Sequence, residues 1–423
     1  MKYINFIIVL IFICVSAYPQ YSPPDGIYPD AVFGNDIKTS RILQDGFETS
    51  YPISRMDEEK PLILSFDDLS KNARNFSYAI IHCDADWRQS RLSTSEYMTG
   101  FPVNQIRRYD YSFNTLIPYV HYQLPIPNED VQLKVSGNYA VVVFENGYDD
   151  QPIMCRRFSI SELQVTFSAV AGRARQTAWQ NEWQQVDFIV RTGLRIENAN
   201  NDVKVVILQN GQWHTARTGV KPLFVRQNEL DYRHVDKTLL FLAGNEYRPL
   251  DLKSTRYSST RMTAIEFERP TYHFYLYPDQ PRDDGHYLYY EDFNGKYAIL
   301  AEKVNRPNIE AEYVYVHFAL RAPQPFTDGQ VYVMGSFCNY ACSKENMMTY
   351  HPEKQQYEAT ILLKQGYYNY IYTLLPFKPP MEERRLEGNF FDTENDYIIY
   401  VYYRGRSDRY DRLIGVNTVN TLR

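Results

Sequence analysis

The segment Ala79-Ile-Ile-His-Cys-Asp-Ala-Asp-Trp87 gathers the residues of this chain best suited to chemistry: His82, Asp84, Asp86 and Trp87 follow directly on an apolar run. On an extended chain, Asp84 and Asp86 project to the same side. Two carboxylates so placed could ligate calcium or act as acid and base on a substrate bond. Calcium takes about six to eight oxygen ligands, and no acidic loop with EF-hand spacing accompanies the pair. A glycosidase needs a second carboxylate facing the first across a sugar. The reading favoured is strand-end turn chemistry, in which Asp side chains accept hydrogen bonds from nearby backbone amides.

Other reactive groups are scattered. There is no Gly-x-Ser-x-Gly elbow, no His-Glu-x-x-His helix and no phosphate-cradling glycine loop. His273 and His317 each lie in an alternating run, where a hydrogen-bonded sheet histidine is expected rather than a catalytic base. Cys83 with Cys155, or Cys338 with Cys342, could form disulfides in an oxidising compartment; the alternative is buried thiols acting as small hydrophobes. Zinc at Cys338 and Cys342 lacks a second pair of ligands at suitable spacing. No catalytic residue, cofactor, metal or small-molecule substrate is therefore expected.

The elements that would position these residues read as strands. Alternation with period two marks Tyr139–Phe144, Val203–Leu208 and Tyr272–Tyr277. Asn146-Gly147, Asn210-Gly211 and Asn294-Gly295 sit between such runs, and Asn-Gly tolerates the positive φ angles of a tight hairpin turn. Many short strands broken by Gly, Pro, Asn and Asp predict an all-β protein of tandem antiparallel β-sandwich, immunoglobulin-like domains. Tyrosine, with 38 copies against 23 Phe and 4 Trp, suits half-buried pleated surfaces and interfaces alike.

Residues 1–17 read as a secretory signal peptide: Met1-Lys2, nine apolar residues from Phe6 to Cys14, then the small-residue site Val15-Ser16-Ala17. Ile13 stands where a lipidated cysteine would want a small neighbour, so lipidation of Cys14 is not expected. No stretch reaches the roughly 18 to 20 apolar residues needed to cross a bilayer. Cleavage removes one lysine and no acid, moving the formal charge from −6 to 44 − 51 = −7. Nucleic acid, which demands clustered Lys and Arg, is excluded as a partner. The pairs Arg107-Arg108, Arg156-Arg157 and Arg384-Arg385 lie far apart and are expected on solvated surface. The remaining length exceeds one hydrophobic core. It divides into an N-terminal β-sandwich at 20–160, a middle β domain at 161–305 and a C-terminal domain at 310–423.

Gln330-Val-Tyr-Val-Met-Gly-Ser-Phe337, Tyr357–Leu363 and Gly366–Tyr372 resemble the immunoglobulin-like modules associated with starch and glycogen enzymes. Those modules continue their first strand into an Asn-Trp that stacks on sugar, where this chain has Asn339-Tyr340. A wider resemblance covers residues 25 to 415. Leu62-Ile-Leu-Ser-Phe-Asp-Asp-Leu69, Ile81–Trp87, Tyr109-Asp-Tyr-Ser-Phe-Asn114, Asn228–Tyr232, Tyr289–Asp292, Leu363–Tyr370 and Arg409-Tyr-Asp-Arg-Leu-Ile-Gly415, in that order, resemble the plug protein family of the Bacteroidetes type IX secretion system. The resemblance implies a non-enzymatic protein of the periplasm, associated with the outer membrane through its partner, the translocon barrel, whose periplasmic opening it occludes when idle. Tyrosine-rich surface would suit such docking. The tail Gly415–Arg423 does not resemble the signal of proteins exported by that system, which implies machinery rather than cargo. His82, Asp84, Asp86 and Trp87 mark the most distinctive string, with no role assigned. The rival expectation, from the C-terminal pattern and the two aspartates, is a periplasmic carbohydrate-binding or carbohydrate-processing protein.

Overall fold

A computed structural model describes residues 21–145, 151–283, 285–378 and 385–422. The expected signal peptide, the Asn146-Gly147 turn and Arg384 lie outside the described residues. Its regular secondary structure is almost entirely β-strand, organised as three face-to-face pairs of sheets with one apolar core each.

In the first sandwich, Gly137–Glu145 lies between Phe76–Cys83 and Pro152–Ser161, antiparallel to both. The facing sheet runs Ile37–Gln44, Leu62–Asp68, Val120–Ile126, Arg108–Tyr111. Alternation does the sorting: Tyr139, Val141 and Val143 meet Leu62, Leu64 and Phe66 in the core, while Ala140, Val142 and Phe144 point the opposite way. That second face is also covered, by Tyr28 and Trp87, so the strand is apolar at nearly every position.

The second sandwich closes across a long sequence gap. Val165–Arg173, Trp183–Thr192, Glu229–Asp231 and Phe224–Arg226 form one sheet; the other runs Gln212–Arg217, Val203–Gln209, Asp396–Tyr403, Arg412–Asn420. Val186, Phe188 and Val190 pack on Val205, Ile207, Ile399 and Val401. The third sandwich places Arg248–Asp251, Gly366–Pro376 and Gly329–Met334 over Met262–Glu268, Thr271–Leu276, Tyr313–Arg321 and Gln356–Lys364. The expected cut at 305–310 therefore runs through a sheet. Thr271–Leu276 pairs in parallel with Tyr313–Arg321, and the last two strands belong with residues 203–217. These two pairings join strands that are distant in the chain, unlike the hairpin of Val165–Arg173 with Trp183–Thr192. The cut near 160 falls at the end of Pro152–Ser161, before the next strand begins at Val165.

Local turn chemistry acts as its residues dictate. Asn210 (φ 52°) and Gly211 (φ 71°) close the hairpin between Val203–Gln209 and Gln212–Arg217. Asn294 and Gly295 adopt the same left-handed pair but join no two strands into a hairpin. All four cysteines outside residues 1–20 are free thiols, with Cys83 and Cys155 buried. Burial pushes both thiols up, Cys155 to about 12, so they sit as protonated apolar groups. Much of the tyrosine is interior: Tyr78, Tyr122, Tyr139, Tyr370, Tyr372 and Tyr402 are among the largest fully buried side chains. Their hydroxyls find partners inside, as when Tyr139 donates to Val135 O at 2.6 Å and Tyr370 to Asp279 at 2.7 Å.

Candidate functional site: two interdomain seams and an exposed aromatic edge

The strand Phe76–Cys83 ends in a tight turn, and that turn separates the two aspartates. Trp87 takes φ 65°, uncommon for a bulky residue, and its amide returns to Asp84 O at 2.9 Å. Asp86 is left outside, its carboxylate accepting the Arg88 amide at 3.2 Å, the turn bond expected from sequence. Asp84 turns inward. It accepts the Asp411 amide at 3.0 Å and ion-pairs with Arg404. The expectation that Asp84 and Asp86 share a side fails because the chain is not extended beyond Cys83. They form no acid–base pair and no shared ligand site.

Around Asp84 a polar seam joins the first sandwich to the second. Asp411, fully buried, accepts the Ala85 amide at 3.0 Å and Lys204 Nζ at 2.9 Å, while Arg404 Nε lies 2.9 Å from its other oxygen. Tyr402 donates to Asn138 Oδ1 at 2.9 Å across the same boundary. His82, fully buried, holds Ser90 Oγ at 2.8 Å and Ser136 O at 3.1 Å, and meets Tyr410 edge-on. Burial lowers its pKa to about 4, so the ring is neutral. Gly137 packs against that ring so closely that any side chain there would collide with it. Trp87 is buried against Trp213 of the second sandwich, ring centres 4.8 Å apart, with the Arg157 guanidinium 4.5 Å over its face. The expectation of a solvated Arg156-Arg157 pair is corrected here: Arg156 is buried and Arg157 partly so, whereas Arg107 and Arg108 are exposed.

A second seam joins the first sandwich to the third. Asp67, at the end of Leu62–Asp68, accepts Lys364 Nζ at 2.6 Å and Tyr313 OH at 2.7 Å, and lies 2.6 Å from His121 Nδ1. All four groups are buried. Burial alone would raise the Asp67 carboxyl, but Lys364 and His121 hold it below the usual carboxylate value. Lys364 also donates to Asn308 O at 2.6 Å and stands 4.1 Å over the Tyr119 ring, whose hydroxyl bonds Ala311 O at 2.9 Å.

The residues that carry the family resemblance thus pair off in space: Asp67 meets Lys364, and Ile81–Trp87 meets Arg409–Gly415. Neither seam was visible in sequence, since a lone Asp or Lys in a strand gives no signal of a partner some 300 residues away. Tyr340 does not form an exposed sugar platform either; its hydroxyl donates to Asn294 O at 3.1 Å in the interior junction. Among the described residues no three His, Cys, Asp or Glu side chains cluster as metal ligands, and no helix is long and apolar enough to cross a membrane.

Outside the seams, one edge is conspicuously apolar. Arg108–Tyr111 is an edge strand with every residue exposed; it carries Tyr109 and Tyr111, and the turn that follows adds Phe113 and Leu116 in solvent. A smaller exposed strip, Leu223–Val225, caps the second sandwich.

Fold and seams together define a protein of packed β-sandwiches whose distinctive residues lock its parts into one body. Residues 37–162 match the type 9 secretion system plug protein first domain. A crystal structure of a hypothetical protein from Parabacteroides merdae ATCC 43184 is 37% identical, covers 93% of this chain and 99% of its own, and superposes with a TM-score of 0.89. The chain belongs to the type IX secretion system plug protein family. An Escherichia coli alpha-2-macroglobulin fragment (12% identity, 47% of this chain and 89% of its own, TM-score 0.17) and a membrane-anchored protein of Corynebacterium diphtheriae (9%, 90% of each, 0.13) superpose too poorly to bear on the fold. No curated protein matches the chain.

Proposed function

We propose that this protein is a non-enzymatic periplasmic plug that binds the periplasmic opening of the outer-membrane type IX translocon barrel and occludes it when idle. The match of residues 37–162 to the plug first domain carries this reading. Physical support comes from the seams: a body that blocks a pore by sitting across it must resist deformation, and buried ion pairs between sandwiches supply that resistance. The exposed edge around Tyr109, Tyr111 and Phe113 is the docking face, because it lies within the matched segment and offers aromatic anchors on a free strand edge.

The test is affinity purification from native outer membrane in mild detergent. The barrel should co-purify with the wild-type chain and be lost with a Tyr109→Ser/Tyr111→Ser/Phe113→Ser variant that keeps its circular dichroism. Deletion of the protein should raise outer-membrane permeability. Failure of the wild-type chain to retain the barrel would end the plug reading, and retention by the triple variant would move the docking face elsewhere.

A further inference from the structure

The outward face of the third sandwich holds two histidines that take no part in the seams or the docking edge. Phe274, Val316 and Ile361 of its larger sheet point into the core, so alternation turns His273, Tyr275, Tyr315, His317 and Thr360 to the opposite face. In the parallel pairing of Thr271–Leu276 with Tyr313–Arg321, His273 lies beside Tyr315 and Tyr275 beside His317. His273 reaches diagonally across that pair, and its Nδ1 lies 2.8 Å from His317 Nε2.

Both rings are held in place. Tyr275 stacks on the His317 ring, centres 4.2 Å apart with planes 8° from parallel, and its hydroxyl donates to Glu268 at 3.0 Å. Tyr315 packs beside His273 with ring centres 5.0 Å apart. Thr360 Oγ1 stands 3.0 Å from His317 Nδ1. When that Nδ1–H donates to the hydroxyl, Nε2 keeps its lone pair and directs it at His273. Metal-bound imidazoles are anchored in this way through their other nitrogen. Glu266 is exposed and directly opposite His273 in the antiparallel register with Met262–Glu268. Glu358, on the far side of His317, is already engaged by Lys354 at 2.8 Å.

A hydrogen bond between the rings accounts for their contact when no ion is bound, and the same 2.8 Å spacing is a chelating bite. Two nitrogens bound at about 2.0 Å and at right angles stand about 2.8 Å apart, whereas a tetrahedral ion such as zinc holds them about 3.3 Å apart. We propose that His273 and His317 form a two-histidine site for a tetragonal divalent transition ion, copper(II) ahead of nickel(II). Water completes the coordination, and the Glu266 carboxylate adds negative charge beside it. Binding replaces the hydrogen bond between the rings: its proton leaves Nδ1 of His273 and returns to Nε2 through solvent, and both facing nitrogens then give their lone pairs to the ion. The site is remote in sequence from the edge at Tyr109 and stands independently of whether the protein plugs a barrel.

The test uses the untagged full chain, stripped with chelator and titrated with copper(II) chloride by calorimetry and electron paramagnetic resonance. One ion should bind with a dissociation constant on the order of 1–10 µM and give an axial spectrum split by two imidazole nitrogens. Nickel(II) should bind more weakly than copper, and zinc(II) at least about tenfold more weakly. His273→Ala and His317→Gln, each checked by circular dichroism, should weaken copper binding at least about tenfold and remove one nitrogen from the spectrum. His234→Ala should change neither. If one of the two variants fails to fold, the other and the nitrogen count of the wild-type spectrum still decide. Absence of a copper site tighter than about 0.1 mM, a spectrum with one imidazole nitrogen or none, zinc binding as tight as copper, or undiminished affinity in both variants would each overturn the proposal.

Discussion

The seam at Asp67 and the seam at Asp84 attach the same sandwich to different neighbours under opposite conditions of solvation. At the first, lysine, aspartate, histidine and tyrosine are all sealed from water. At the second, Asp411 is sealed but Arg404 and Lys204 keep 30% and 44% of their side chains in solvent. Attraction between charges grows as water is withdrawn, and so does the cost of removing one partner. The sealed seam should thus behave as all or nothing, and the wet one as a set of small, salt-sensitive increments.

The comparison can be broken most directly at Lys364. Lys364→Met leaves Asp67 buried beside His121 without its cation, and should lower unfolding free energy by about 3–5 kcal/mol in urea titration. Adding Asp67→Asn should recover part of that loss. A cost below about 1 kcal/mol would mean that water reaches the seam. The pH profile gives the next largest effect, through His82. As pH falls, the unfolded imidazole gains its proton near 6.5 and the folded one only near 4. The unfolded state therefore binds more protons between those values, and stability should decline by up to about 3 kcal/mol. His82→Gln should flatten that limb. Asp67, held low, should add its own loss only further down, where its carboxylate finally protonates. A flat wild-type profile between pH 6.5 and 4 would contradict a sealed His82.

Arg404→Met in the wet seam should cost less, about 1–2 kcal/mol, and the difference from wild type should shrink as salt is raised. Insensitivity to salt would show that this seam is as dry as the other. The smallest effect belongs to Asp86→Ala. Its single turn bond is exposed, so thermal melts should place it within about 0.5 kcal/mol of wild type.

How far these features could be read from sequence depends on their range along the chain. Strands were legible wherever one face is buried, as at Val203–Leu208, and so was the Asn210-Gly211 hairpin. The Asp86 turn was legible because its bond spans two residues. The division into sandwiches was not, because Val203–Gln209 pairs with Asp396–Tyr403 and no local pattern encodes a partner that distant. Tyrosine content left core and interface undivided. A phenol is equally at home on a surface and in a core that offers its hydroxyl an acceptor, as at Tyr119 and Tyr139. Arg156 and Arg157 misled because burial of a guanidinium depends on aromatic and carboxylate neighbours contributed by other segments.

The two C-terminal strands complete a core begun at Val165, and this fixes an order of events. Until residues 396–420 arrive, Val203–Gln209 lacks its lateral partner strand, and Val186, Phe188 and Val190 lack the Ile399 and Val401 on which they pack. A chain shortened by its last thirty or so residues would expose apolar surface more than 150 positions upstream and invite degradation. The second sandwich thereby closes only when the last two strands are in place, whereas the cores of the first and third draw on none of those residues.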